Sequence, residues 1–129
     1  MMQINESAEN YLEAILLLSK SGEPVRSIDI AHYLGFSKPS VSNAVKRLRE
    51  NGYIEVADNG YLNLTASGQK IAAEIFERHE VITLYLMSIG VDRQTAREDA
   101  CRIEHVISPT SFQKIREHML AEHHTITDN

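Results

Sequence analysis

The order of elements between Val25 and Thr65 constrains the fold more than any other feature of the chain. Val25, Ile28, Ile30, Ala31 and Leu34 recur at helical spacing, with Ser27 placed to cap them, and Gly35 closes the pattern. Ser37 is a capping type and Pro39 suits a first helical turn, where no N–H is needed. Val41, Ala44, Val45 and Leu48 then form the inward stripe of a third helix ending near Asn51-Gly52. Tyr53 to Ala57 and Tyr61 to Thr65 alternate apolar and polar residues around Asp58-Asn59-Gly60, the loop chemistry of a β-hairpin. Two short helices across the tight turn Gly35-Phe36-Ser37, followed by a hairpin, predict a winged helix-turn-helix.

The flanking segments read as helices. Ala8, Tyr11, Leu12, Ile15, Leu16 and Leu18 share a face of a first helix over Asn5 to Ser19, with Asn5 or Ser7 as its cap. Beyond Thr65-Ala-Ser-Gly68, a long helix is expected from about Gln69 to Ser88, carrying Ile71, Ala72, Ile75, Phe76, His79, Ile82, Leu86 and Met87 at helical spacing. Asp92 is placed to cap a helix to about Val106, and Ser108-Pro109 opens a last one through Met119 or Leu120, with residues 121–129 expected to fray. The predicted class is mainly α with a small β-hairpin: an N-terminal winged helix-turn-helix over residues 1–66, then an all-helical domain over residues 67–129.

A chain of 129 residues can bury one ordinary core, or a small core plus a helical layer completed by a second subunit. It contains no run of about 18 apolar residues, and Met1 to Ser7 has no basic stretch leading into an apolar one. No membrane span or signal peptide is therefore expected, and a cytoplasmic location follows. The net charge of −5, histidines neutral, argues against a nucleic-acid partner until its distribution is read. Lys38, Lys46, Arg47 and Arg49 fall in a stretch without an acid, whereas acids gather between Glu6 and Glu13 and from Glu74 onward. Ser37, Lys38, Ser40, Ser42 and Asn43 offer short donors to base edges or phosphates, and Lys46, Arg47 and Arg49 suit phosphate neutralisation. Arg26, ahead of the second helix, and Asn59, at the hairpin tip, join them as candidate DNA contacts. A polar stripe is ordinarily only the solvated face of a helix. The hairpin behind this one and its missing acids favour double-stranded operator DNA as its partner.

In Cys101-Arg-Ile-Glu104-His105, spacings of three and four bring a thiol, a carboxylate and an imidazole onto one helix face. That donor set suits Fe(II), Mn(II), Co(II), Ni(II) or Zn(II), since Mg(II) and Ca(II) prefer oxygen alone. Three ligands rarely complete a site. His79 in the long helix, and Asn10 with Glu13 on the first, are the best-placed further donors by type and phase. Each has a plain alternative, a structural histidine, a core cysteine or a surface Glu-His pair, which weakens when all are taken together. The single Cys101 has no intrachain disulfide partner. His118, His123 and His124 read as chance enrichment near the end of the chain.

Glu9-Asn-Tyr-Leu-Glu13 before the winged helix, Asp99-Ala-Cys-Arg-Ile-Glu-His-Val-Ile-Ser108, and Thr65-Ala-Ser-Gly68 followed by Arg78-His79 together resemble the diphtheria-toxin-repressor family of metal-dependent regulators, in its short two-domain form. The likeness runs from about Ser7 to Leu120. It implies a homodimer formed through the second, metal-binding and dimerisation domain, with metal as co-repressor of metal-uptake genes. Cys101, Glu104 and His105 match the primary site of the iron branch, where Asn10 replaces a customary methionine. Glu13 and His79 match the manganese branch, which has Asp at position 10 and Glu at position 101, so the chain is a hybrid. At the iron branch's ancillary site only His79 is kept, with Thr83 and Arg97 in place of a carboxylate and an imidazole. One complete metal site is expected, without ligands from an SH3-like third domain.

The expected function is a metal-dependent repressor with Fe(II) or Mn(II) as co-repressor, Zn, Co or Ni being possible in vitro, and with no organic cofactor and no enzymatic activity. Metal held by the first helix, His79 and the Cys101 to His105 segment would favour the spacing of two recognition helices across successive major grooves. The alternative is a metal-independent winged-helix regulator that responds to a small organic effector. A metal-dependent hydrolase with Glu104 as base is disfavoured, because no Gly-rich loop or HExxH-type pattern accompanies the cluster.

Overall fold

The computed structural model describes residues 6–127, with side chains described for residues 7–121. Its elements are α1 (Glu6–Ser19), α2 (Ser27–Leu34), α3 (Lys38–Glu50), β1 (Ile54–Val56), β2 (Leu62–Leu64), α4 (Ala66–Ser88), α5 (Arg93–Val106) and α6 (Pro109–Thr127). The chain forms two compact units, residues 1–74 and 75–129, divided within α4. Among the described residues no helix is long and apolar enough to cross a membrane. Asn5, the expected cap of α1, lies outside the described residues.

In the first unit, Leu12 and Ile15 of α1, Ile30 of α2, Val41 and Leu48 of α3 and Ile54 of β1 are fully buried. Each such aliphatic contributes about 1.5–3 kcal/mol relative to exposure. The strands pair antiparallel in the register Ile54↔Leu64, Glu55↔Asn63 and Val56↔Leu62. Their connection closes with Ala57 N–H donating to the Tyr61 carbonyl at 2.9 Å, and Gly60 supplies the left-handed conformation, φ 88°, that a side chain resists.

Two helix starts differ from expectation. The cap position of α2 is held by Arg26, whose N–H donates to Asp29 Oδ2 at 2.8 Å, and Ser27 is already helical. Val25 lies outside the helix because it pairs with the hairpin, its carbonyl accepting the Leu62 N–H at 2.7 Å. Helix α4 begins at Ala66 rather than near Gln69, because Thr65 Oγ1 accepts the Gly68 N–H at 3.2 Å and donates to the Gly52 carbonyl at 2.7 Å. Gly68 is therefore no breaker: a Cβ there would stand 2.0 Å from the Tyr53 carbonyl oxygen. The glycine lets the helix approach the backbone leading into β1.

In the second unit, Asp92 caps α5 through Oδ2, which accepts the Thr95 N–H at 3.0 Å, and these hydrogen bonds hold its carboxyl pKa below the ordinary value. Ser108 Oγ accepts the Ser111 N–H at 3.0 Å at the start of α6. Arg78 of α4 lies over the Phe112 ring of α6, and Tyr85 meets His118 edge-on at 6.0 Å. Helix α6 continues to Thr127 instead of ending at Leu120, since Ala121 to Thr127 contains no glycine or proline to stop it.

Candidate functional site

Helix α3 turns Val41, Val45 and Leu48 inward and leaves Lys38, Ser40, Ser42, Asn43, Lys46, Arg47 and Arg49 exposed. Ser37 caps it by accepting the Ser40 N–H at 3.3 Å, and its hydroxyl also donates to Ser40 Oγ at 2.9 Å. The two front serines are thus bonded to each other, which leaves Lys38, Ser42 and Asn43 as the uncommitted donors of the first turns. Arg26 is exposed with its guanidinium 4.7 Å over the Tyr61 ring, tying the start of α2 to the hairpin. Asn59 is exposed at the tip, where its Oδ1 accepts the Tyr61 N–H at 3.2 Å. No acid interrupts this face before Glu50.

Helix α5 turns Ala96, Ala100 and Glu104 inward, so a carboxylate occupies the third position of a buried stripe and is 0% exposed. A charge removed from water this completely must be compensated by charge-assisted contacts. Two imidazoles supply them. Nδ1 of His79, on α4, lies 3.0 Å from Glu104 Oε2, and Nε2 of His105 lies 3.4 Å from Oε1. Arg78 Nη1 donates to the Glu104 backbone carbonyl at 3.2 Å. Oε1 is nevertheless buried without a hydrogen bond, the His105 approach being too poorly aligned to make one.

A buried carboxylate with an unused lone pair and imidazoles at both oxygens is donor chemistry that suits a first-row divalent ion. The residues fit such an ion in type. Among the described residues no group of three or more His, Cys, Asp or Glu is arranged to hold one, because these imidazoles are turned onto the carboxylate. They must yield those contacts to face a shared ion. Of the other expected ligands, Cys101 is exposed one turn earlier on α5, while Asn10 is half-buried and Glu13 is buried on α1 of the first unit. His118 is exposed, and the side chains of His123 and His124 lie outside the described residues. Sequence reading gave Arg78 no role; only its contact with a carbonyl 26 residues away reveals one.

Comparison with known proteins covers nearly the whole chain. Residues 3–62 match the iron dependent repressor N-terminal DNA binding domain, and residues 65–124 match the iron dependent repressor metal binding and dimerisation domain. The transcriptional regulator MntR of Escherichia coli is 36% identical over 111 residues, spanning 86% of this chain and 72% of that protein. The iron-dependent repressor IdeR of Mycobacterium leprae is 33% identical over 109 residues, spanning 84% of this chain and 47% of that one. The solved structure of the manganese regulator SloR superimposes with a TM-score of 0.77 at 27% identity, covering 92% of this chain. The chain spans about half, 54%, of the SloR structure.

Proposed function

Since the chain belongs to the iron-dependent repressor family, we propose that it represses transcription by binding operator DNA as a homodimer when Fe(II) or Mn(II) is replete. It is a metal-dependent DNA-binding transcriptional regulator. The observation that carries the finer reading is the buried Glu104 carboxylate, clasped by His79 and His105 and left with an unsatisfied oxygen. In this reading residues 1–66 bind DNA and residues 67–129 bind metal and dimerise, a division supported by the spans of the two matched domains.

Glu104, His79 and His105 are the nucleus of the proposed ligand set, and Cys101, Asn10 and Glu13 complete it. When bound, the divalent ion supplies the positive charge that a buried carboxylate lacks. Arg78 fixes the Glu104 backbone, so the carboxylate is held in place whether or not its partners move. On α3, Lys38, Ser42 and Asn43 read base edges, while Lys46, Arg47 and Arg49 neutralise phosphates, with Arg26, Ser37, Ser40 and Asn59 flanking them. A dimer reads two half-sites only if its α3 helices stand about 34 Å apart, and metal acts through its preference for that spacing. Operator binding places this work in the cytoplasm, and no catalytic role is proposed.

The test is operator affinity at one fixed salt concentration, in chelator and in Mn(II) or Fe(II), for wild type, Glu104→Gln and Cys101→Ala. Metal is expected to tighten wild-type binding by more than about tenfold, roughly 1.4 kcal/mol of coupling, and to leave Glu104→Gln unchanged. Equal wild-type binding in chelator and in metal would instead establish a metal-independent regulator.

A further inference from the structure

Beside the metal cluster, still within the second unit, a cavity of about 180 Å³ opens between α4 and the start of α5, with His79, Glu80, Thr83, Arg93 and Arg97 supplying its polar lining. We propose that this cavity binds a small tetrahedral oxyanion of the phosphate class. The resemblance of the chain leads one to expect a second metal here, and the residues do not fit it. A threonine hydroxyl is a weak cation ligand, and two guanidiniums repel a cation.

Three observations favour an anion. Arg93 and Arg97 are four apart on α5 and so share a face, and among the described residues neither guanidinium has an ion-pair partner. Planar guanidiniums are suited to the paired oxygens of phosphate. Thr83 is nine-tenths buried on the α4 side, and its hydroxyl has no hydrogen-bond partner. A helical threonine ordinarily satisfies its hydroxyl on the carbonyl four residues back, so this one is left with a donor directed at the cavity's contents. Glu80 is the single acid in the lining, against two arginines. The volume accommodates an ion of inorganic phosphate size with a few waters, since one water occupies about 30 Å³, and it excludes a nucleotide.

The test is calorimetric titration of inorganic phosphate, and separately of glycerol phosphate, into the full chain in chelator at fixed ionic strength, with chloride as control. It involves neither DNA nor metal, so its outcome is independent of the repressor mechanism. Wild type is expected to bind with a dissociation constant of about 1 mM or tighter, and Arg97→Gln to lose at least about tenfold. Thr83→Val should weaken binding to a lesser degree, and Arg102→Gln, an exposed arginine of α5 outside the cavity, should leave it unchanged. Tighter binding of phosphate than of its glycerol ester identifies the free ion as the ligand, and the reverse order identifies a small phosphomonoester. Heat no greater than that of chloride, or an equal loss in Arg102→Gln and Arg97→Gln, overturns the proposal. Arg97 is exposed, so its variant tests the idea even if Thr83→Val fails to fold.

Discussion

Helices α3 and α5 are amphipathic segments of similar length that place their charge on opposite sides. In α3 the inward positions are Val41, Val45 and Leu48, and every basic side chain points to solvent. In α5 the inward positions are Ala96, Ala100 and Glu104, two small residues followed by a buried carboxylate. The first is stabilised by its apolar stripe alone and leaves its charge for an external partner. The second cannot be explained by packing, because a buried carboxylate is tolerated only with compensating donors, and His79 and His105 provide them from α4 and from α5 itself. An outward charged face points to a surface to be met; an inward one points to a ligand to be held.

The comparison breaks most severely at its apolar side. Leu48→Ala should lower the unfolding free energy by about 2–5 kcal/mol in a denaturant titration, because the stripe of α3 carries its stability. Metal should stabilise wild type by about 2.7 kcal/mol at a concentration one hundred times its dissociation constant, and Glu104→Gln should gain little, as read by thermal unfolding with and without Mn(II). Replacing Lys46 and Arg47 with glutamine should reduce the slope of log affinity against log salt by about 2, at roughly 0.9 per phosphate contact. Ser37→Ala should cost about 1 kcal/mol through loss of the α3 cap.

The smallest effect concerns pH. The folded-state pKa of Asp92 is lowered by its capping hydrogen bonds, so its stabilisation is fully present above the unfolded value and is lost as pH falls through the folded one. Asp92→Asn keeps a capping side chain but should flatten that acid limb in a series of unfolding curves.

Much of this was legible in the sequence for a local reason. The α3 stripe, its Ser37 cap, the Asp92 cap and the hairpin loop are set by residues a few positions apart, and the structure has them where spacing put them. What escaped is non-local. The Val25 bridge to Leu62, the Thr65 hydroxyl on Gly52 and the approach of Gly68 to Tyr53 fix where α2 and α4 begin, and no window of neighbouring residues contains both partners. The site shows the same divide. Spacing placed Glu104 and His105 together and supplied His79 by type, but that Glu104 alone of the acid and thiol pair on α5 is buried, with Cys101 exposed, became visible only when α4 was laid against α5. Arg78, Arg93 and Thr83 had no local signal at all.

The most direct test of the central claim is a crossed measurement: Mn(II) affinity and metal-free DNA affinity, both determined for Glu104→Gln and for the double variant Lys46→Gln with Arg47→Gln. The account predicts that the α5 variant loses metal affinity and keeps its residual DNA binding, while the α3 variant keeps metal affinity and loses DNA binding. Unaltered Mn(II) affinity in Glu104→Gln would contradict it, because the buried carboxylate would then have no part in holding the ion.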